Sequence, residues 1–261
     1  MNPTTSSLYH RRSLTPDQLE FYKTQGYLVL DSVLTEQGLE TFRSECMAAW
    51  KAEKETFDPE KNWLHNSLLC DIHHRARVVQ EYYFAGPIVD VAEELIGPNI
   101  KGVTSQLTFK MRGNTMPFGW HQDNGYGELE PYNTISTLTA FDDTDQENGC
   151  LWLIPGSHLE GQIGVKRTTE ERSSQKEVVV EADESKAIPM PLRAGSVLVM
   201  HCWMLHKSDG NLSTNRDRRI LFLRYADADA VEVYNDHKPR LGRLLRGDTK
   251  FAEVRTFEAD L

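Results

Sequence analysis

The chain has no apolar run long enough to span a bilayer, and its opening stretch, MNPTTSSLYHRRSLTP, is polar, without the apolar segment of a secretory signal. Membrane insertion and export are therefore not expected, and a cytoplasmic setting is. Cysteine is scarce and scattered. Cys46, Cys70, Cys150 and Cys202 include no Cys-x-x-Cys pair, which fits reduced thiols better than a disulfide framework and leaves no thiolate cluster for zinc or iron-sulfur chemistry. Positive charge is in deficit too: 29 Lys and Arg face 39 Asp and Glu, a formal charge of -10. A surface built to neutralise phosphates is excluded on that balance, so nucleic acid and anionic membranes are poor partners. There is no internal repeat and no long low-complexity linker, and 261 residues suffice for one large domain with a sizeable core.

What is present changes character near residue 100. Before it, TPDQLEFYKTQ reads as a capped helix starting near Pro16, followed by a short strand at Tyr27 to Leu30. A second helix is expected from Thr35 to about Glu53, with Leu39, Phe42, Met47 and Trp50 at helical spacing, and a third from Val79 to Ile96, ending at Gly-Pro-Asn. After Lys101 come short runs rich in β-branched and aromatic residues: VTSQLTFKM, TISTLTAF, GCLWLIP, EVVVEA, GSVLVMH and RRILFLRYA. Asn148 and Gly149 suggest a tight hairpin. Helices first and antiparallel strands after them predict one unit: residues 1–100 as a mainly helical support, 101–230 as a β-sandwich or barrel core, and 231–261 as an extension.

Chemistry concentrates in GWHQDNGYG, residues 119–127. On a strand, His121 and Asp123 project from one face with Gln122 turned away, so one strand offers a cation two ligands. A bare His-x-Asp is otherwise a solvated loop edge, and the reading needs a third ligand from a distant strand. His201 and His206 are the candidates. His206 is followed by Ser208 and then Arg218, a hydroxyl and a guanidinium able to clamp a carboxylate if the intervening loop folds the last strand back. His201 has no such followers. Two histidines and one carboxylate with open positions form the facial triad of non-haem iron(II) oxygenases.

The segments WHQD, DQENGCLWLIPGSHLEG, LHKS and RRILFLRYA together resemble the phytanoyl-CoA dioxygenase family of Fe(II)- and 2-oxoglutarate-dependent oxygenases, from about Asp17 to Asp229. The resemblance implies a double-stranded β-helix, a jelly-roll or cupin-like core flanked by helices. It implies His121, Asp123 and His206 as iron ligands, and Arg218 with Ser208 on the far carboxylate of 2-oxoglutarate, with Lys110 or Gln106 also touching it. The loop from His206 to Arg218 is a residue longer than in some relatives, which leaves Arg219 or Arg216 as substitutes for Arg218. Cosubstrate decarboxylation to succinate and carbon dioxide, with dioxygen as oxidant, would then drive hydroxylation of a small organic molecule. Desaturation or ring closure starts from the same hydrogen abstraction, whereas halogenation requires a site without the aspartate ligand.

Charge near the expected mouth suggests the substrate. Lys110 and Arg112 are two apart on one expected strand and share a face, so a spare cation is available for an anionic group. Trp120, Asn124, Tyr126 and Glu128, with Glu130 and Tyr132, would line the other side and receive an ammonium. A zwitterionic amino acid or aminophosphonate fits; an acyl-CoA or a secondary metabolite is the alternative. Two readings of other kinds are a zinc-dependent hydrolase at the same three residues and a non-catalytic cupin-like binder, neither of which gives Arg218 and Ser208 a required task. His158 reads as structural, the adjacent His73 and His74 as a solvated face, and KRTTEERSSQKE as a mobile charged connection that could act as a lid.

Overall fold

Alternating apolar residues become paired strands from Ile100 onward, but the flanking segments contribute strands as well. The computed structural model describes residues 7–54, 60–61, 63–163, 166–167 and 178–261. The strands of the two main sheets are, in chain order, β1 Tyr27–Leu30, β2 Leu68–Cys70, β3 Ile100–Lys110, β4 Phe118–His121, β5 Ile135–Ala140, β6 Leu151–Leu153, β7 Ile188–Met190, β8 Val197–His201, β9 His206–Ser208, β10 Arg218–Asp227 and β11 Arg243–Arg246. The larger sheet runs β1-β8-β5-β10-β3-β11, with β2 on the same edge of β3 as β11; the smaller runs β7-β6-β9-β4. Every pairing is antiparallel. Two antiparallel sheets with flanking helices give the jelly-roll, cupin-like class. They do not close into a barrel.

The strand expected at Tyr27–Leu30 is present as β1, while the unexpected strands β2 and β11 show that the helical support and the C-terminal extension both add to the larger sheet. Local pattern could not reveal this, because a three- or four-residue strand is specified by its partner more than by its own sequence. Two other expectations change. The helix expected from Val79 to Ile96 is two helices, Arg77–Ala85 and Pro87–Ile96. Pro87 supplies no N–H, and Gly86 before it is extended at φ −73°, ψ 177°, as steric conflict with a following proline demands. Asn148 and Gly149 lie not in a hairpin but in the link that carries the chain from β5 in one sheet to β6 in the other. There the Asn148 amide donates to the Asp143 carbonyl and accepts from the Asp145 N–H. The charged stretch KRTTEERSSQKE falls largely outside the described residues; Lys166–Arg167 pairs with Val178–Val179.

The larger sheet has two apolar faces. Its inner face brings Leu138, Ala140, Leu198, Met200 and Ile220 against Leu151, Leu153 and Met190 of the smaller sheet. Its outer face, with Leu107, Phe109, Val199, Leu221 and Leu223, is covered by the helices. The first, Pro16–Gln25, is held by a reciprocal capping box between Thr15 and Gln18. The helix Glu36–Glu53, capped by Thr35, buries Phe42, Cys46, Ala49 and Trp50, a stripe at helical spacing. Phe42 is fully buried, with Tyr82 edge-on at 5.1 Å and Phe141 at 5.7 Å between ring centroids. All four cysteines are free, and no described helix is long and apolar enough to cross a membrane.

Phe42→Ala should cost about 3–5 kcal/mol, the range for emptying a buried aromatic site, because Tyr82 and Phe141 are themselves fixed by the sheet. Denaturant unfolding monitored by circular dichroism measures it. A loss under about 1 kcal/mol would mean that this helix contributes little to the core.

Candidate active site

The register between β9 and β4 sets His206 directly opposite His121. β4 ends at His121, and Asp123 opens a single helical turn, Asp123–Tyr126, so the aspartate is not on the strand as expected. Gln122 between them is still extended, at φ −118°, ψ 138°, which returns Asp123 to the face of His121. His121 Nδ1 donates to the Gly119 carbonyl at 2.8 Å and His206 Nδ1 donates to the Met204 carbonyl at 3.0 Å. Those backbone acceptors fix both rings with Nε2 turned toward Asp123, each 3.8 Å from Oδ1. Ligand atoms of all three residues lie within 4.8 Å of one another, a donor set of two imidazoles and one carboxylate able to hold a divalent cation with open positions.

Electrostatics keeps His121 and Asp123 in ligand form. Burial, together with the neighbouring His206, lowers the His121 pKa to about 3, so its ring stays neutral. Burial works to raise the Asp123 pKa, but His206, Arg224, His121 and a hydrogen bond from Ser136 bring it below the ordinary value. Ser136 and Arg224, neighbours on β5 and β10 in register, are participants that the motif did not announce. For Arg224 the signal was period-two spacing from Arg218 along the last strand; Ser136, on β5, had none of that kind.

A second cluster follows along the same inner face. Ser208, two residues beyond His206 on β9, is about 7 Å further along the strand. Lys110 Nζ donates to the Ser208 hydroxyl and carbonyl and to the Asp209 carbonyl. Lys110 stands opposite Arg218 in the β3–β10 register. Arg218 is 2 % exposed; its Nη1 donates to the Gly149 carbonyl at 3.0 Å, while its Nε has no partner. Gly149 is at φ +79°, and a Cβ there would lie 2.6 Å from the Asp209 carbonyl oxygen, so only glycine brings this carbonyl to the guanidinium. Among the described residues no carboxylate pairs with either cation. Burial lowers both pKa values, Arg218 to about 10 and Lys110 well below the usual lysine range, and the proximity of Arg218 depresses Lys110 further.

The alternatives to these residues face elsewhere. Arg219 turns to the outer face and forms a two-point pair with Asp142, and Arg216 pairs with Asp145 and Glu147. His201 packs against His158 and Tyr22 under the first helix, burial lowering its pKa to about 4. His158 Nε2 donates to the Lys23 carbonyl. Gln106 lies on the inner face in the row of Lys110, opposite Phe222, with its amide 3.8 Å from Cys70 Sγ.

Three expected substrate contacts do not face the site. β3 ends at Lys110, and Arg112 beyond it is 59 % exposed and paired with Asp217. Trp120 alternates away from His121, packs with Ile154, Val180 and Leu205, and donates to Glu184. Asn124 is fully buried, its amide spent on the Leu129 backbone and on Arg224 Nη2. Tyr126, by contrast, is 49 % exposed and edge-on to His121 at 5.5 Å. The Tyr132 hydroxyl donates to Glu128 nearby in sequence. His73 and His74 are not a solvated face either: His73 is buried, and both rings reach Glu258.

Facing antiparallel sheets with a His-Asp-His cluster between them define a class, the cupin-like proteins with a two-histidine, one-carboxylate metal site. The sequence model of the phytanoyl-CoA dioxygenase family matches residues 22–220, and the chain belongs to that family. It is 23% identical over 269 residues to the phytanoyl-CoA dioxygenase of Arabidopsis thaliana, covering 86% of this chain and 93% of that one. It is 28% identical over 243 residues to a methylphosphonate hydroxylase of Gimesia maris, covering 87% and 88%. The solved structure of SnoK, a non-haem alpha-ketoglutarate-dependent carbocyclase from nogalamycin biosynthesis, matches with a TM-score of 0.69 at 24% identity, over 90% of this chain and 94% of that one. The chain is accordingly a 2-oxoglutarate-dependent dioxygenase of that family, with a His-Asp-His cluster able to hold a metal.

Proposed function

We propose that this enzyme holds iron(II) through His121, Asp123 and His206, seats the far carboxylate of 2-oxoglutarate on Arg218 with Ser208 and Lys110, and hydroxylates a C–H bond of a small zwitterionic substrate. The observation that carries the reading is Arg218, buried with an unpartnered Nε and, among the described residues, paired with no carboxylate. Burying a guanidinium without a counter-charge costs several kcal/mol. A bound dicarboxylate supplies that charge, with its other end directed along β9 toward His206. Gln106, in the same row as Lys110, lines the path between them.

Iron and 2-oxoglutarate, when bound, supply the oxidising power to remove a hydrogen atom from the substrate. The chain's own residues supply the rest. The Gly119 and Met204 carbonyls orient the two imidazoles, and Ser136 and Arg224 hold Asp123 ionised. Leu138, Phe222 and Tyr126 give the reacting position apolar walls and limit water there. Arg224 is the cation best placed for an anionic substrate group: it lies on the inner face three strand repeats from Arg218, beside Asp123, with Nε unpartnered. It replaces Arg112 in that role. Glu128 with Tyr126 and Tyr132 would take an ammonium at the rim. The likeness to a methylphosphonate hydroxylase supports a compact anionic substrate.

Anaerobic addition of Fe(II) and 2-oxoglutarate should give a weak visible charge-transfer band in the wild type and in His201→Ala. His121→Ala, Asp123→Ala and His206→Ala should each lose it while remaining folded. A band lost in His201→Ala and kept in His206→Ala overturns the ligand set.

Arg218→Ala should raise the KM for 2-oxoglutarate by the equivalent of about 2–5 kcal/mol, whereas Arg219→Ala, which faces Asp142, should leave it within about twofold. The reverse ranking would move the anchor to Arg219. For the substrate, succinate release is scored with a panel of zwitterions, acyl-CoA esters and apolar polycyclic compounds. Stimulation by the first class, lost in Arg224→Gln with 2-oxoglutarate binding intact, is expected. Stimulation by the other two alone rejects the zwitterion.

A further inference from the structure

The buried face beside β3 carries a second group of metal-competent side chains, far from the first in the fold and built from other elements. A short turn of 3-10 helix, Ile72–His74, follows β2, and the helix Ala252–Thr256 is followed by Glu258. The two segments meet at one carboxylate. His73 Nε2 lies 3.3 Å from Glu258 Oε2, and His74 Nε2 lies 2.8 Å from Oε1. Ligand atoms of all three residues fall within 4.8 Å of one another.

We propose that His73, His74 and Glu258 form a second metal site that takes zinc, or a divalent cation of similar preference, and clasps the segment around Glu258 to the strand β3 region. Three features support it. The first is orientation. His73 Nδ1 lies 2.5 Å from Ser105 Oγ, an oxygen on β3 that already accepts the His73 backbone N–H. With Nδ1 engaged there, Nε2 presents its lone pair to Glu258, the arrangement in which an outer hydrogen bond fixes the tautomer of a ligating histidine. The ring is also wedged between Tyr83 and Phe84, at 5.4 and 5.7 Å between centroids, so it is not free to rotate.

The second feature is spacing. For zinc bonds of about 2.0–2.1 Å in tetrahedral geometry, ligand atoms stand about 3.3 Å apart. Taken to a single ligand atom, Glu258 Oε1, the His73 edge is 3.4 Å and already has about that length, and the His74 edge, now a hydrogen bond at 2.8 Å, must open by only about 0.5 Å. The third is charge and backbone. Among the described residues no lysine or arginine pairs with Glu258; its contacts are the two histidines. Asp71 and Glu258 both adopt φ +52°, in the left-handed region that non-glycine residues seldom occupy. The backbone on both sides of the cluster is thus held in a costly conformation that converges the three side chains.

Two imidazoles and a carboxylate on three positions leave a fourth open. His73 and Glu258 stand in the wall of a cavity of about 780 Å³, also lined by Tyr83, Glu232 and Arg240, that contains none of the residues His121, Asp123 and His206. A water or a small anionic ligand can complete the coordination from that side. The site is distinct from the one assigned to iron and does not depend on that assignment.

Zinc stoichiometry measured on the full chain tests this. Metal-stripped His121→Ala/His206→Ala protein, dialysed against zinc and assayed by elemental analysis, should retain one zinc per chain. Adding His74→Ala or Glu258→Gln to that background should weaken zinc binding at least tenfold. His74 is 42 % exposed, so its removal leaves the fold intact, which the melting temperature without zinc verifies. Zinc should also slow hydrogen exchange around residues 252–258 in the double variant and not in the His74→Ala triple variant. Absence of zinc from the double variant, or zinc retained undiminished when His74 and Glu258 are replaced, overturns the proposal and leaves a hydrogen-bonded cluster only.

Discussion

The pairing of β9 between β6 and β4 is the constraint on which the site depends. It places His206 opposite His121, and opposed residues of an antiparallel pair have Cβ atoms about 4.5–5.5 Å apart, close enough for two imidazoles to share an ion. A slip of one residue would turn His206 to the other face and bring Lys207 inward. That register is held from both sides: by Leu153 and Leu151 opposite His206 and Ser208 on β6, and by apolar burial between the sheets. The shift in register between His206 and Ser208 against β4 is where the ladder adapts to the turn that follows His121.

Charge is distributed along the inner face in an order that chemistry can use. Lys110 and Arg218 form a cationic end without a counter-ion, the carboxylate of Asp123 sits near the middle, and Arg224 lies beyond it. The buried cations are a cost to the protein: burial, and after it the proximity of Arg218, lowers the lysine pKa. An anion that enters between them offsets that cost, so stability lost in the free protein reappears as binding energy. The arginines adjacent to Arg218 are neutralised by Asp142, Asp145 and Glu147, which confines this effect to one side chain.

The helices act on the site at a distance. They cover the outer face of the larger sheet, with Phe42, Trp50, Tyr82 and Tyr225 filling the outer layer, and so leave only the inner face to carry buried polar side chains beside its apolar ones. The same packing turns His201 and His158 into partners of the first helix, away from the cluster that they resemble in composition.

Residue types and local order were legible in the sequence: His-x-Asp at a strand end, a histidine with a serine two positions on, an arginine starting the last long strand, and helices ahead of strands. These are properties of period, capping and turn chemistry, which neighbouring residues settle among themselves. Orientation was not legible. That Arg218 faces inward while Arg219 meets Asp142, that Trp120 and Asn124 serve packing, and that Arg224 stands beside Asp123 are decided by partners tens of residues or more away. The short strands β2 and β11, and the meeting of His73 and His74 with Glu258, belong to the same category. The sequence by itself determined which chemistry the chain carries; only the tertiary structure decided which copies of each residue type face one another, because pairing register and burial are set by contacts that no local window contains.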